Sequence, residues 1–271
     1  MKKIFLLPFL VLTSLFFQND VSANEMSTED VNPVEYKEMM DIVKREVLKG
    51  VEENELEKIP EVQEFKNTYK EEKIFEFVGN TEAYKMLNSK NDIELNSQNN
   101  ILGYQKQLIE FEDGSFAILE SKTTEVSDLN SAFNLGVTPF SGTGTEYFNT
   151  KAGKSFTNDF SYSYWGLWKV AELHLITNFT IENSNKVKIT STDHAGTKAY
   201  TPSTVDNVST SIIINNGLDA QSRGSYRKTN GVVIDGFPIG ATRYISFNTL
   251  IRIHATSGSD IYFYVQNSIT E

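Results

Sequence analysis

The chain has 271 residues, a formal net charge of −11 at pH 7 and no cysteine. The missing cysteine excludes disulfides, and it excludes an acyl anchor because lipidation needs a cysteine at the cleavage site. The acidic balance disfavours nucleic acid as a partner, and it disfavours an anionic membrane surface for the first part of the chain.

Residues 1–23 have the pattern of a secretory signal peptide. Lys2 and Lys3 form a basic start, residues 4–17 are apolar, and Val21-Ser22-Ala23 supplies the small residues that a signal peptidase requires. The apolar stretch is too short to span a bilayer. We therefore expect cleavage after Ala23 and a secreted product with neither a lipid nor a wall anchor. Cysteine-free export is typical of Gram-positive bacteria.

Charge divides the rest of the chain near Asp128. Residues 24–128 contain 25 acidic and 12 basic side chains, whereas residues 129–271 contain 10 and 11. Aromatic residues and glycines are concentrated in the second part. The division predicts two domains, an acidic helical segment that ends in a β-hairpin at 24–128 and a β-sandwich domain at 129–271.

The acidic segment begins with a well-marked helix. Asn32 is placed to cap it, Pro33 to occupy its first turn and Glu35 to complete the cap, with an end at Lys49-Gly50. Apolar residues recur along it at spacings of three and four: Tyr36, Met39, Met40, Val43, Val47 and Val51. Further helices are predicted at 60–77 and 81–87, followed by a loop at 88–100.

A hairpin closes the acidic segment. Its strands are predicted at 105–111 and 115–123, on either side of the turn Glu112-Asp113-Gly114.

Alternation of apolar and polar residues dominates the second part of the chain, residues 129–271. Mostly apolar residues occupy every other position of three predicted strands: Ala171 to Ile181, Arg243 to Ala255, and Asp260 to Ile269, in which Ile261, Phe263 and Val265 face inward. The polar neighbours, among them Tyr244, Tyr262 and Tyr264, are predicted to face outward. Further strands are predicted at 186–192 and 209–215. The fold class is therefore α+β: an N-terminal helical segment and hairpin, then an antiparallel β-sandwich of seven or eight strands.

No catalytic or metal site is legible in the sequence. His174 and His254 fall on polar strand faces, where exposure explains them. Asp193-His194 is the only neighbouring pair that suggests a general base, and an ordinary loop explains it. Glu110, Glu112 and Asp113 are explained as solvated turn carboxylates. No metal and no cofactor is expected, because zinc, phosphate and dinucleotide motifs are absent.

The most suggestive stretch is an aromatic cluster formed by Tyr162, Tyr164, Trp165 and Trp168. Exposed, these rings would stack on sugar rings or lie at a lipid interface. Buried, they would form the centre of the sandwich core, which a cysteine-free domain needs. The core interpretation is favoured, and ligand binding is the functional alternative.

These observations favour a non-enzymatic binding or interaction protein that acts at or outside the cell envelope. Its partner would be a cell-wall glycan, a membrane or another protein. One alternative is a pore-forming or bacteriocin-like toxin, in which residues 133–160 would insert as a hairpin. The other is an extracellular hydrolase that uses Asp193 and His194.

Overall fold

The computed structural model describes residues 30–70, 73–74, 77, 88–92, 101–111, 113–126, 144–200, 203–229, 232–234, 237–239 and 242–270. The predicted signal peptide at 1–23 and the predicted helix at 81–87 lie outside these ranges. Short helices come first, at α1 Pro33–Leu48, α2 Glu53–Leu56 and α3 Pro60–Thr68. The strands are β1 Asn88–Asp92, β2 Ile101–Glu110, β3 Phe116–Glu125, β4 Thr145–Thr150, β5 Lys154–Trp165, β6 Lys169–Asn183, β7 Lys186–Asp193, β8 Lys198–Ala199, β9 Thr204–Asn216, β10 Asp219–Thr229, β11 Val232–Ile234, β12 Phe237–Ile239, β13 Thr242–Ser257 and β14 Asp260–Thr270.

Both ends of α1 are confirmed. The Asn32 side chain accepts a hydrogen bond of 2.9 Å from the Val34 N–H, and Pro33 occupies the first turn. At the other end Gly50 has a φ of 85°, which lets the Val51 N–H reach the Glu46 carbonyl in a Schellman motif. The predicted apolar stripe from Tyr36 to Val47 is buried.

Two predictions beyond α1 need correction. The helix predicted at 60–77 is interrupted: α3 ends at Thr68, because Tyr69 is extended and turns its buried ring into the core, and the described residues 73, 74 and 77 are helical again. The hydroxyl of Tyr69 donates to Glu35 on α1 at 2.6 Å, which fixes this departure from the helix. Residues 88–92, predicted as loop, form β1 and pair with β2.

Sheet one has the strand order β1-β2-β3-β5-β6-β7, with β8 beside β6. The predicted hairpin is confirmed as β2 and β3, which pair antiparallel from Glu110 opposite Phe116. Since β3 also pairs with β5, hydrogen bonding continues across the division near Asp128. The acidic part therefore contributes three strands to the same sheet. Whether the two parts are separate domains stays a prediction.

Sheet two has the order β4-β14-β13-β10-β9. The alternation predicted for β13 and β14 is confirmed, because Ile245, Phe247, Ile251 and Phe263 are buried and their neighbours are more exposed. The same holds for β6 in sheet one. The smaller pair β11-β12 stands apart from both sheets.

Three layers result from this arrangement. Between the two sheets lie two apolar clusters, one around Phe160 and Phe247 and one around Phe156 and Phe263. A third cluster joins the helices to the opposite surface of sheet one, where Phe116 and Trp165 stack at 6.0 Å. The described chain is thus mainly antiparallel β with short helices at its beginning, and its two facing sheets are consistent with a sandwich.

A row of polar side chains separates the two clusters between the sheets. Seven strands each place a buried polar residue at the same level: Thr123, Glu146, Asn158, Thr177, Ser222, Thr249 and Asn267. Short bonds connect them, including Thr249 to Asn267 at 2.7 Å and Thr177 to Ser222 at 2.7 Å. We call this row the polar belt. Its hydrogen bonds offset the cost of burying so many polar groups.

Glu146 is the one carboxylate of the polar belt, and it is 5 % exposed. Burial raises its pKa to about 7, although hydrogen bonds from Thr123 and Ser121 act in the opposite direction. Its Oε1 atom has no hydrogen-bond partner among the described residues. Gly103 lies so close that a Cβ there would be 2.5 Å from the Glu146 Oε2 atom.

Candidate functional site

The predicted aromatic cluster is divided between two cores. Tyr162 and Tyr164 point toward sheet two and are at most 1 % exposed, and the ammonium of the buried Lys228 lies 3.7 Å from the Tyr164 ring centre. Trp165 is buried under the helices, and Trp168 is half-buried beside it. These positions agree with the core interpretation. A ligand-binding role for the cluster stays a prediction.

The three histidines have different environments. His254 is exposed, as predicted. His194 is also exposed, and the Asp193 carboxylate accepts a bond from its main-chain N–H. That bond does not orient the imidazole for proton transfer. His174 was predicted to be exposed, and this was wrong, because only 16 % of its side chain is accessible.

His174 lies between two carboxylates on the outer surface of sheet one. Its Nδ1 atom is 3.0 Å from Asp159, and its Nε2 atom is 3.5 Å from Glu172. Burial lowers its pKa, but the hydrogen bonds to Asp159 and Glu172 outweigh that effect and raise the pKa to about 9. The bond from His174, together with Lys169 and Lys198, lowers the pKa of Glu172 to about 2. The cluster is therefore ionised at neutral pH.

We expect this cluster to make stability depend on pH on the alkaline side. Because the folded pKa of His174 lies above its unfolded value of 6.5, its contribution is complete below pH 6.5 and is lost as the pH rises through about 9. In urea unfolding from about pH 6 to about pH 10, the wild type should lose more stability than His174→Gln. Parallel profiles for the two proteins would rule out this role.

A groove of about 310 Å³ runs beside the His174 cluster, where the end of α1 meets sheet one. Its wall on the helix side carries Glu52 and Glu53, and its floor carries Lys106, Glu120 and Lys169, among other residues. The floor charges are largely paired with one another, as in Lys106 to Glu120 at 3.4 Å. Glu53 accepts a bond from the Lys169 N–H, and burial raises its pKa.

The outer surface of sheet two is a different kind of surface. No described helix or strand packs on it, and its rings lie close together at one end. The ring of Tyr147 lies 5.6 Å from Tyr264 and 5.5 Å from His254, whose own ring is 6.4 Å from Tyr262. Tyr244, which is 68 % exposed, stands at the other end. We call this surface the tyrosine face.

Two cross-strand rows of the same composition bound the tyrosine face. In one row Tyr264, Arg252 and Asp219 lie side by side, and Arg252 makes a bidentate pair with Asp219 at 2.6 and 2.7 Å. In the other row Tyr244, Arg227 and Asp206 repeat the arrangement, again with a bidentate pair.

Each arginine lies directly opposite its tyrosine neighbour on the next strand, and the hydrogen bond from the arginine lowers the pKa of each aspartate.

Between the two rows most side chains of the tyrosine face carry amides or hydroxyls. They come from three strands and are Ser225, Ser246, Asn248, Gln221, Gln266 and Ser268. The exposed Arg223 and Ile214 and the half-buried Leu250 lie among them. In the five strands of sheet two the only glutamate and the only lysine, Glu146 and Lys228, are both buried and face inward.

Sequence reasoning placed the tyrosines outward but did not single them out as a site. One feature of the sequence could have indicated this site: tyrosines occupy outward positions of strands that have no lysine or glutamate at their other outward positions.

Neither a cluster of potential metal ligands nor a membrane-spanning helix occurs in the part of the chain that the structure describes. That part contains no group of three or more potential metal-ligating His, Asp or Glu residues. Asp113 instead accepts bonds from the N–H and hydroxyl of Ser115 within the turn. None of the described helices is long and apolar enough to cross a bilayer.

The segment considered for pore formation is divided in this structure. Residues 133–143 lie outside the described ranges, and β4 and β5, which follow, belong to different sheets. The described part of 133–160 therefore does not form a hairpin here. Pore formation stays a prediction.

In comparisons with known proteins, no family model, no curated protein and no solved structure matches this chain.

Proposed function

We propose that this chain is an exported, non-enzymatic binding protein of a Gram-positive bacterium, which contacts a partner at or outside the cell envelope through the tyrosine face. The signal peptide at 1–23 supplies the route of export, with cleavage after Ala23. One observation carries the proposal: two Tyr-Arg-Asp rows present the exposed ring of Tyr244 and the half-buried ring of Tyr264 on an otherwise uncovered sheet.

The composition of the tyrosine face supports binding. Tyrosine and arginine are enriched where proteins recognise partners, whereas lysine and glutamate are depleted there. Rings that are already fixed lose little entropy on binding. The bidentate pairs of Arg252 with Asp219 and of Arg227 with Asp206 fix the arginine side chains beside the rings in the same way.

The chemistry of the groove on sheet one supports a non-enzymatic role. General acid–base catalysis works best with a group whose pKa is near the working pH. Glu172 has a pKa of about 2 and His174 one of about 9, and both nitrogens of His174 face carboxylates. Glu146 has a pKa of about 7 but is enclosed between the sheets. These groups act in stability.

The test is co-sedimentation of the secreted protein with isolated Gram-positive cell envelopes. We expect the double variant Tyr244→Ala/Tyr264→Ala to bind at least about tenfold more weakly, because each lost ring removes about 1 kcal/mol. The matched control is Tyr200→Ala. Tyr200 likewise lies beside a cationic side chain, with the Lys198 ammonium 5.2 Å from its ring centre, but it belongs to the sheet-one side. Equal losses in the double variant and the control, or no binding by the wild type, would contradict the proposal.

A further inference from the structure

The chemical nature of the partner can be inferred from how the tyrosine face uses its charges. Both arginines at its ends are neutralised within the protein, Arg252 by Asp219 and Arg227 by Asp206. An arginine that recognises a phosphate or carboxylate needs its planar donors free for that group. Only the exposed Arg223, in the middle of the face, has no carboxylate partner among the described residues, since it donates to the neutral Asn248. One such charge attracts a polyanion weakly.

The middle of the tyrosine face is polar. A protein partner is usually held by an apolar, dehydrated centre inside a polar rim. Here the order is reversed, because Asn248, Gln266 and Ser246 occupy the middle while the rings lie at the ends. Two aliphatic side chains lie beside them, the half-buried Leu250 on β13 and the exposed Ile214 on β9. This arrangement does not favour a protein.

Amides and hydroxyls next to exposed rings match the chemistry of sugars. A sugar ring has apolar C–H surfaces that stack on an aromatic ring, and its hydroxyls take bonds from side chains that both donate and accept. Asn248 already engages Arg223 at 3.0 Å through its amide oxygen, which leaves its N–H groups directed to other acceptors.

The length of the tyrosine face indicates a polymer. Tyr244 and Arg252 are eight residues apart on one extended strand, so the two Tyr-Arg-Asp rows are about 27 Å apart. A single sugar reaches only one of the two rows. A chain laid along β13 would contact both rows and the amides between them.

We propose that the tyrosine face binds an uncharged glycan chain along β13, with stacking at Tyr244 and at the Tyr147, Tyr262 and Tyr264 end. This inference rests on the proposed function and names its partner class. Binding is direct and reversible, and no covalent step is involved.

The test uses hexasaccharides that differ only in charge, measured by calorimetry with the full secreted protein. The neutral probes are cellohexaose and fully acetylated chitohexaose. The charged counterparts are deacetylated chitohexaose, which is cationic, and carboxymethylated cellohexaose, which is anionic. We expect a neutral hexamer to bind at least about tenfold more tightly than its disaccharide and its charged counterpart. Binding should persist when salt rises from about 0.05 to about 0.5 M, since screening acts on charges.

Variants locate the contact. Tyr244→Ala and Tyr264→Ala should each weaken binding of the hexamer by about fivefold or more, whereas Tyr200→Ala should not change it. Near-ultraviolet circular dichroism verifies that each variant is folded.

The possible failures are distinguishable. If the protein sediments with envelopes but binds neither neutral hexamer, the glycan inference is overturned and the proposed function stands. Loss of sedimentation after the envelopes are treated with protease would then indicate a protein partner. A preference for a charged hexamer, abolished by salt, would also overturn the inference. No sedimentation at all contradicts the proposed function itself.

Discussion

Replacing Phe263 by alanine is expected to lower the free energy of unfolding by about 4 kcal/mol. Phe263 is fully buried and joins both sheets, with its ring 5.1 Å from both Phe148 and Phe156 and 5.9 Å from Phe179. Truncation would leave a cavity that neighbours on hydrogen-bonded strands cannot fill. Without disulfides, the fold has no covalent cross-link to compensate.

Urea unfolding followed by circular dichroism measures this loss. The matched control is Tyr244→Ala, which removes a ring of similar size that is 68 % exposed, and it should change stability by less than about 1 kcal/mol. A loss for Phe263→Ala no larger than for the control would mean that the two sheets do not pack through this ring. The control also verifies that a binding variant of the tyrosine face is folded.

Replacing Glu146 by glutamine is expected to stabilise the protein at alkaline pH. The unfolded carboxyl ionises with a pKa of 4.5, whereas the folded carboxyl ionises at about 7. Stability is therefore highest below pH 4.5, falls as the pH rises through about 7 and then stays level. The difference between the two pKa values corresponds to about 3 kcal/mol at pH 8. Glutamine keeps the shape of the side chain and the acceptor for Thr123 while removing the charge.

The measurement is urea unfolding of wild type and Glu146→Gln between about pH 4.5 and pH 8. The variant should match the wild type at the acidic end and exceed it at the alkaline end. Glu182→Gln is the control, because Glu182 is at the surface and the bond from Lys186 lowers its pKa. A variant that is less stable than the wild type at pH 8 would show that the ionised carboxylate is favoured in the polar belt.

Glu146 and His174 affect stability in different pH ranges. The contribution of Glu146 is lost mainly between pH 4.5 and about 7, and that of His174 between pH 6.5 and about 9. On the acidic side, the ionised Glu172 stops contributing as the pH falls from 4.5 toward about 2. Together these directions predict that the protein is most stable in mildly acidic solution. The variants Glu146→Gln and His174→Gln separate the two losses of stability that occur as the pH rises.

Local sequence predicted the regular elements well where one local rule dominated. Asn32, Pro33 and Gly50 bound α1 because capping depends on residues within a few positions. Alternation in β6, β13 and β14 predicted which side chains are buried, because one surface of each strand faces a core. The same rule failed for Tyr69 and for residues 88–92, where contacts with distant segments decide the conformation.

The candidate site shows the limit of that reasoning. Tyr264, Arg252 and Asp219 are far apart along the chain, and only the register of three strands makes them one row. His174 occupies a polar position by alternation, yet Asp159 and Glu172 on either side of its ring enclose it. Burial of Tyr162 and Trp165 likewise depends on what covers each side of β5.

The sequence by itself determined the absence of disulfides, the acidic balance of residues 24–128, the caps of α1 and the two-residue period of the long strands. These properties depend on composition or on neighbours along the chain. Only the tertiary structure decided which strands share a sheet, how Thr177, Thr249 and Glu146 align in the polar belt, and which tyrosines remain exposed. Those outcomes depend on pairing between segments that can be more than a hundred residues apart in the sequence. The pattern of neighbouring residues contains no information about that pairing.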